Sequence, residues 1–213
     1  MGFWKTKVFA AAIIQCVVSS AAQATSPTAQ LDYFFGKSES IFVETTKLTM
    51  GPLGHAVLCT KTKISCETTK SEDTHQFVTD QQHDLLVKVN LSINRSMKPR
   101  SDSMSEGFGD TWTIGGKFGD CEDYALTKLN ALVQQGLPQS AFRIAIVKTQ
   151  SGEGHALLVA RTSGGDMVLD NLSPKIVSWN TTNYNWLMIQ STTNKRQWMS
   201  IDAKVAPKPI PVS

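Results

Sequence analysis

The sequence predicts an α+β fold in which two helices pack on one face of an antiparallel sheet. Apolar residues recur about every fourth position from Leu85 to Met97 and again from Ala125 to Val133, as on the buried side of a helix. From Phe142 onward the apolar period changes to two, which is typical of strands. The order helix, helix and then strands therefore predicts helices gathered on one side of a sheet.

The first predicted helix begins near Thr74, with Asp73 or Thr74 as its N-cap, and runs for about six turns. Pro99 ends it, because proline cannot continue a helix. Residues 100–119 form a long loop around Trp112, of the kind that borders binding clefts. The apolar stripe of this helix consists of Phe77, Leu85, Leu86, Val89, Ile93 and Met97.

The second predicted helix covers residues 121–135. Asp120 is its expected N-cap, Asp123 is placed as in a capping box, and Gly136 ends it. Strands are then predicted at residues 142–148, 155–162 and 167–170, with another near 185–190. A hairpin turn is expected at residues 163–166.

The amino terminus is typical of an export signal. Lys5 and Lys7 precede an apolar run that is too short to span a bilayer, and residues 22–24, Ala-Gln-Ala, suit a signal peptidase. The alternatives for this segment are a membrane anchor or a buried helix. We expect a signal peptide over residues 1–24, one domain over 25–205 and a Pro-rich tail over 206–213.

Charge and cysteine usage narrow the function. The formal net charge of +3, without a Lys/Arg cluster, argues against a nucleic-acid partner, and no second long apolar segment would span a membrane.

The four cysteines have different expected roles. Cys16 is removed with the predicted signal peptide. Cys59 and Cys66 are either a disulfide, as export favours, or two reduced buried thiols. Cys121 is then the odd cysteine, and an unpaired thiol in an exported protein invites a functional explanation.

Cys121 is the predicted nucleophile. It stands at a helix start, where unpaired N–H groups favour a thiolate and can stabilise an oxyanion. His155 at the start of one strand is the predicted base, and Asp170 at the end of the next strand orients it. If Thr162 pairs with Met167, His155 and Asp170 lie on one face of the sheet. Asp170 then faces Val159, four residues away from His155, which is too far for a hydrogen bond. A bulge, a shifted register or sheet twist must then bring them together.

The other histidines are weaker candidates. His55 has a similar local sequence but no aspartate after a second strand, and His75 and His83 fall on the first predicted helix. The carboxylates of Asp120 and Glu122, together with Asp123, should raise the pKa of the neighbouring thiol. Bound Ca²⁺, or salt bridges to Lys or Arg, would offset them.

Residues 119–126, Gly-Asp-Cys-Glu-Asp-Tyr-Ala-Leu, followed by Lys128, resemble the signature of the bacterial transglutaminase-like cysteine proteinases. The resemblance implies a papain/transglutaminase-like fold with a triad of Cys121, His155 and Asp170. It continues through residues 89–90, 93–94, 110–112, 154–157 and 168–171.

Members related to periplasmic adhesin-releasing proteases bind calcium beside the nucleophile and are restrained by an inner-membrane cyclic-di-GMP receptor that grips an exposed tryptophan. The resemblance thus implies Ca²⁺ at Asp120, Glu122 and Asp123, a periplasmic location and Trp112 as the receptor contact. The expected function is a cysteine endopeptidase acting on a protein, such as a surface or biofilm adhesin. The alternatives are a transglutaminase or amidase with the same triad, and a non-catalytic binding module.

Overall fold

A seven-stranded antiparallel sheet organises the protein, whose computed structural model describes residues 1–2, 41–68, 77–101 and 110–201. The strands of the described part are β1 (Thr45–Thr49), β2 (Lys98–Pro99), β3 (Phe118–Gly119), β4 (Phe142–Lys148), β5 (Gly154–Thr162), β6 (Gly165–Leu169), β7 (Val177–Ser178), β8 (Asn185–Gln190) and β9 (Trp198–Ile201). The sheet order is β1-β9-β8-β4-β5-β6-β7, and β2 and β3 form a separate parallel pair. The strands predicted near residues 142–148 and 185–190 coincide with β4 and β8.

The α-helices of the described residues are α1 (Leu53–Leu58), α2 (His83–Ser96) and α3 (Cys121–Gln134). The helix α2 starts later than the prediction near Thr74, which itself lies outside the described residues. Val78 is extended and donates its N–H to Arg161 O at 2.8 Å, and Thr79 and Gln82 form a capping box on a short 3₁₀ turn. Those contacts satisfy the backbone there, so Phe77 is not part of the helix.

The two faces of the sheet are both buried near its centre. One face packs with α2 and α3 around Leu86, Leu126 and Leu158. The other face encloses a second apolar cluster that includes Val159, Trp179 and Trp186. The predicted α+β arrangement with helices on one face is therefore confirmed. Trp179 and Trp186 lie on the opposite face.

The β5–β6 hairpin has a tighter turn than the sequence predicted. Thr162 pairs with Gly165 rather than with Met167, and Leu158 pairs with Leu169. Gly165 has a φ of 121°, and a Cβ there would meet Ile41 O at 2.6 Å, so only glycine fits. The predicted pairing was wrong by two residues. Continued by one residue, this register places Asp170 opposite Leu157, two residues nearer to the start of β5 than the sequence predicted.

Cys59 and Cys66 form a disulfide after α1, and Cys121 is the free cysteine of the described residues. None of the helices in the described ranges has the length and apolarity needed to cross a membrane. Residues 3–24 of the predicted signal peptide and the tail at 206–213 lie outside the described residues.

Candidate active site

The ends of four strands lie together at one end of the sheet. Lys148, at the end of β4, pairs with Gly154 at the start of β5 and with Asn185 at the start of β8. Asp170 follows β6 at the same end. The imidazole of His155 and the carboxylate of Asp170 are both buried, and His155 Nε2 lies 2.9 Å from Asp170 Oδ1. The shifted register makes them diagonal neighbours on one face, which allows this contact.

Asp170 is held as a carboxylate by its partners. Burial raises its pKa, but hydrogen bonds from His155, the Tyr184 hydroxyl and the Leu172 N–H outweigh burial, so the pKa lies below its usual value. The Tyr184 hydroxyl donates to Oδ2 at 2.5 Å, and the Leu172 N–H donates to Oδ1 at 2.9 Å. Asp170 is thus ionised at neutral pH and can accept hydrogen bonds but not donate them.

The contact with Asp170 fixes the tautomer of His155. Because an ionised carboxylate only accepts, His155 Nε2 carries the hydrogen, and Nδ1 of the neutral ring is the basic nitrogen. An imidazole oriented in this way can take a proton from a thiol and later return it.

Cys121 is the first residue of α3 and is partly buried. Its Sγ donates a hydrogen bond to Glu122 Oε2 at 3.1 Å. Burial, then the charge of Glu122 and its hydrogen bond, raise the pKa of the thiol far above its usual value; a backbone hydrogen bond from Ala156, the residue after His155, opposes them. The thiol therefore sits beside the start of β5 but is held in its neutral form.

The acidic residues around the thiol have separate partners. Burial and a hydrogen bond with Asp110 raise the pKa of Glu122 to about 9. Asp123 Oδ1 accepts the Thr113 N–H at 2.7 Å and so fastens the preceding loop to α3. Asp120 occupies the N-cap position, but its side chain makes no capping bond, and Asp123 completes no capping box.

The predicted metal site at Asp120, Glu122 and Asp123 stays a prediction. Among the described residues, one group of three potential ligands has all its ligand atoms within 4.8 Å, namely His55, Cys59 and Cys66, and its cysteines form the disulfide. The contact between the carboxyl groups of Glu122 and Asp110 nevertheless suits a hard cation, because two such carboxyl groups share a proton unless a cation replaces it.

The model of the bacterial transglutaminase-like cysteine proteinases matches residues 45–206. The chain belongs to this family. The predicted enzyme class, a cysteine peptidase, is thereby confirmed. No curated protein gives a significant sequence match.

Two states of one solved proteinase are similar to the chain. Calcium-bound Legionella pneumophila LapG is 24% identical, with a TM-score of 0.47, over 55% of this chain and 68% of that chain. EGTA-treated LapG from the same organism is 24% identical, with a TM-score of 0.46, over 55% of this chain and 66% of that chain.

Trp112 does not have the exposure that the sequence comparison implied for it. Its side chain is only 5% exposed and stacks edge-on with His55 and Trp198, while its Nε1 donates to Asp110 Oδ2 at 2.9 Å. The indole is therefore buried where the resemblance implied an exposed one, and the receptor contact stays a prediction. His55 itself is a core histidine: burial lowers its pKa, and its ring is bonded by Gln190.

Sequence reasoning missed two side chains that hold Asp170 in this cysteine proteinase. Tyr184 binds the carboxylate, and Asn94 Nδ2 on α2 donates to the backbone oxygen of Asp170 at 2.8 Å. Tyr184 directly precedes the predicted strand at 185–190, so a strand order would have placed it at the same end. Burial and Asp170 raise the pKa of Tyr184, which keeps it a donor.

Replacing Tyr184 with Phe removes one donor to Asp170 while keeping the ring. A lost hydrogen bond of about 1.4 kcal/mol to a charged group corresponds to about a tenfold lower kcat/KM. Steady-state kinetics of purified Tyr184→Phe and of the unmodified enzyme would measure this. Equal kcat/KM values for Tyr184→Phe and the unmodified enzyme would show that the Tyr184 hydroxyl does not contribute to catalysis.

Proposed function

We propose that the protein is a calcium-dependent cysteine endopeptidase in which Cys121 is the nucleophile, His155 the base and Asp170 the orienting acid. The observation that carries this assignment is the buried hydrogen bond between His155 Nε2 and Asp170, next to the helix start that bears Cys121. Membership of the cysteine proteinase family supports the reaction type.

The proposed reaction is acyl transfer. His155 Nδ1 takes the thiol proton, and the Cys121 sulfur attacks the carbonyl carbon of the scissile amide. N–H groups at the start of α3 stabilise the oxyanion, and the imidazolium returns its proton to the departing amine. Water then attacks the thioester with His155 as base, which releases the second fragment and restores the thiol.

Calcium is proposed to activate the thiol. Glu122 and Asp120 on either side of Cys121, with Asp110, would hold the ion, whereas Asp123 is already bound to the Thr113 N–H. When bound, Ca²⁺ supplies positive charge that lowers the pKa of the neighbouring thiol. Without that charge, Glu122 and burial keep Cys121 neutral.

Calcium should therefore stabilise the folded protein. The gain is about 2.7 kcal/mol when free calcium is a hundred times its Kd. Because the folded, cation-free protein holds a proton on Glu122 up to pH about 9, its stability should fall as pH rises from the ordinary glutamate pKa toward that value. Calcium should remove this pH dependence.

Thermal unfolding with calcium or EGTA measures this effect from pH 5 to 9. Glu122→Gln should abolish the calcium-dependent rise in Tm, and Glu44→Gln, at an exposed position, should preserve it. An identical Tm in calcium and EGTA would end the metal proposal but leave the triad in place.

Proteolysis is separable from the two competing functions by its products. Release of peptide fragments from an exported protein supports the endopeptidase. Incorporation of a labelled amine without fragments would instead indicate a transglutaminase. Neither product, with a folded protein and calcium present, would indicate a non-catalytic module.

The cellular setting is proposed as the periplasm, after removal of residues 1–24, with a cell-surface or biofilm adhesin as substrate. The sequence resemblance supports both. An inner-membrane cyclic-di-GMP receptor is the regulator that this resemblance implies, with Trp112 as the implied contact residue although its indole is buried. Comparison of the exported proteins that accumulate uncleaved with Cys121→Ala and with unmodified enzyme tests the substrate class.

A further inference from the structure

A buried lysine lies beneath the segment that carries Asp170. Lys128 follows Cys121 by about two turns on α3, is fully buried, and its Nζ has no hydrogen-bond partner within the described part of the chain. Burial lowers its pKa to about 7, and the charge of Asp170 opposes that effect. The amine and the carboxylate are therefore within electrostatic range of each other.

Three buried amide oxygens border the same segment. Asn90 and Asn94 on α2 donate through their Nδ2 atoms to backbone oxygens of residues 170–174, and Asn171 follows Asp170 directly. The Oδ1 atoms of all three have no hydrogen-bond partner among the described residues. An ammonium group has three N–H donors and no acceptor, so the three amide oxygens complement it.

We propose that Lys128 is a positioning residue: its ammonium group, bridged to the three amide oxygens by internal water, holds residues 170–174 in place and opposes protonation of His155 across Asp170. The inference rests on the proposed function, since it takes Asp170 and His155 as the acid and the base of the triad.

The expected effect has a definite sign. A cation near the pair stabilises the Asp170 carboxylate and disfavours a second positive charge on the His155 imidazole. The other titratable group on Asp170 is the Tyr184 hydroxyl. In the first turn of α3, Glu122 is bonded to Cys121, and Asp123 accepts the Thr113 N–H. The titratable residues of α2 are all exposed, namely His83, Asp84, Lys88 and Arg95.

The test is an NMR titration of the His155 imidazole in the full chain. Lys128→Met removes the charge and nearly keeps the shape, and it should raise the pKa of His155 by about half a unit or more. Lys195→Met is the matched control. Lys195 is also fully buried, but its Nζ donates to Ser140 O at 3.2 Å, near the opposite end of β4. The control should leave the His155 titration unchanged.

An unchanged His155 titration in folded Lys128→Met overturns the proposal, even if activity falls. Should Lys128→Met not fold, the reciprocal coupling is measured instead. The Lys128 Cε resonance should titrate at lower pH in Asp170→Asn than in the unmodified chain, because coupling acts equally in both directions. Equal titrations would overturn the proposal.

The two hypotheses can fail separately. A chain that cleaves no protein but shows the coupling would refute the proposed function and leave the role of Lys128 in positioning Asp170. A chain that cleaves protein but shows no coupling between Lys128 and the His155–Asp170 pair would support the proposed function and refute the role of Lys128.

Discussion

Cys121→Ala is expected to abolish proteolysis while preserving the fold. The thioester cannot form without the sulfur, so kcat/KM should fall by about 10⁴-fold or more, to the level of substrate binding and N–H stabilisation alone. Release of fragments from an exported protein substrate, followed by gel and mass spectrometry, measures the loss.

Thermal unfolding of Cys121→Ala measures whether the variant keeps its fold. The Cys121 side chain is partly buried and makes hydrogen bonds with the Glu122 carboxyl group and with the backbone of Ala156. Its truncation should therefore change Tm by only a few degrees. Cys121→Ser should be folded and similarly inactive. Cleavage of the same bond by Cys121→Ala would refute the proposed nucleophile.

Asp170→Asn is expected to have the second largest effect, a loss of about 10³- to 10⁴-fold in kcat/KM. The amide has nearly the shape of the carboxylate but cannot hold His155 as the Nε2–H tautomer with the same strength. It also removes the negative charge that stabilises the imidazolium. Asp84→Asn, at an exposed position on α2, is the control and should retain full activity.

The same variant makes a prediction about stability and pH. The folded-state pKa of Asp170 lies below its unfolded value, so its contribution to stability is present above the ordinary aspartate pKa and is lost as pH falls through the lower folded pKa. The stability difference between unmodified protein and Asp170→Asn should therefore shrink below pH about 4. A difference that stays constant down to pH 2 would show that the native partners do not stabilise the carboxylate.

The fold was most predictable where the apolar pattern is long. The helix α3 and the strands β4 and β8 match the sequence because their buried stripes extend over several residues. The helix α1 was not predicted, because its six residues are too few to show a helical period in the sequence. The start of α2 was misjudged because the apolar residue Phe77 continues the helical spacing, although Val78 is bonded to β5.

The sequence supplied the proposed nucleophile, base and acid of the candidate site, but not the side chains that support Asp170. Cys121, His155 and Asp170 each carry a local signal: a helix start, a strand start and a strand end. Tyr184 and Asn94 contact Asp170 only after β8 and α2 are packed, which no local pattern encodes. The exposure of Trp112 was implied by the family resemblance alone, whereas His55 and Trp198 enclose its indole in this structure.

The most direct test of the account is the rate of Cys121 alkylation by iodoacetamide as a function of pH, in calcium, with the modified peptide identified by mass spectrometry. We predict a thiol that reacts with an apparent pKa below about 8.5, the ordinary value for cysteine, and that loses this reactivity in His155→Ala. Alkylation that requires the pH of an ordinary thiol, or a rate unchanged in His155→Ala, would contradict the assignment of Cys121 as a nucleophile activated by His155.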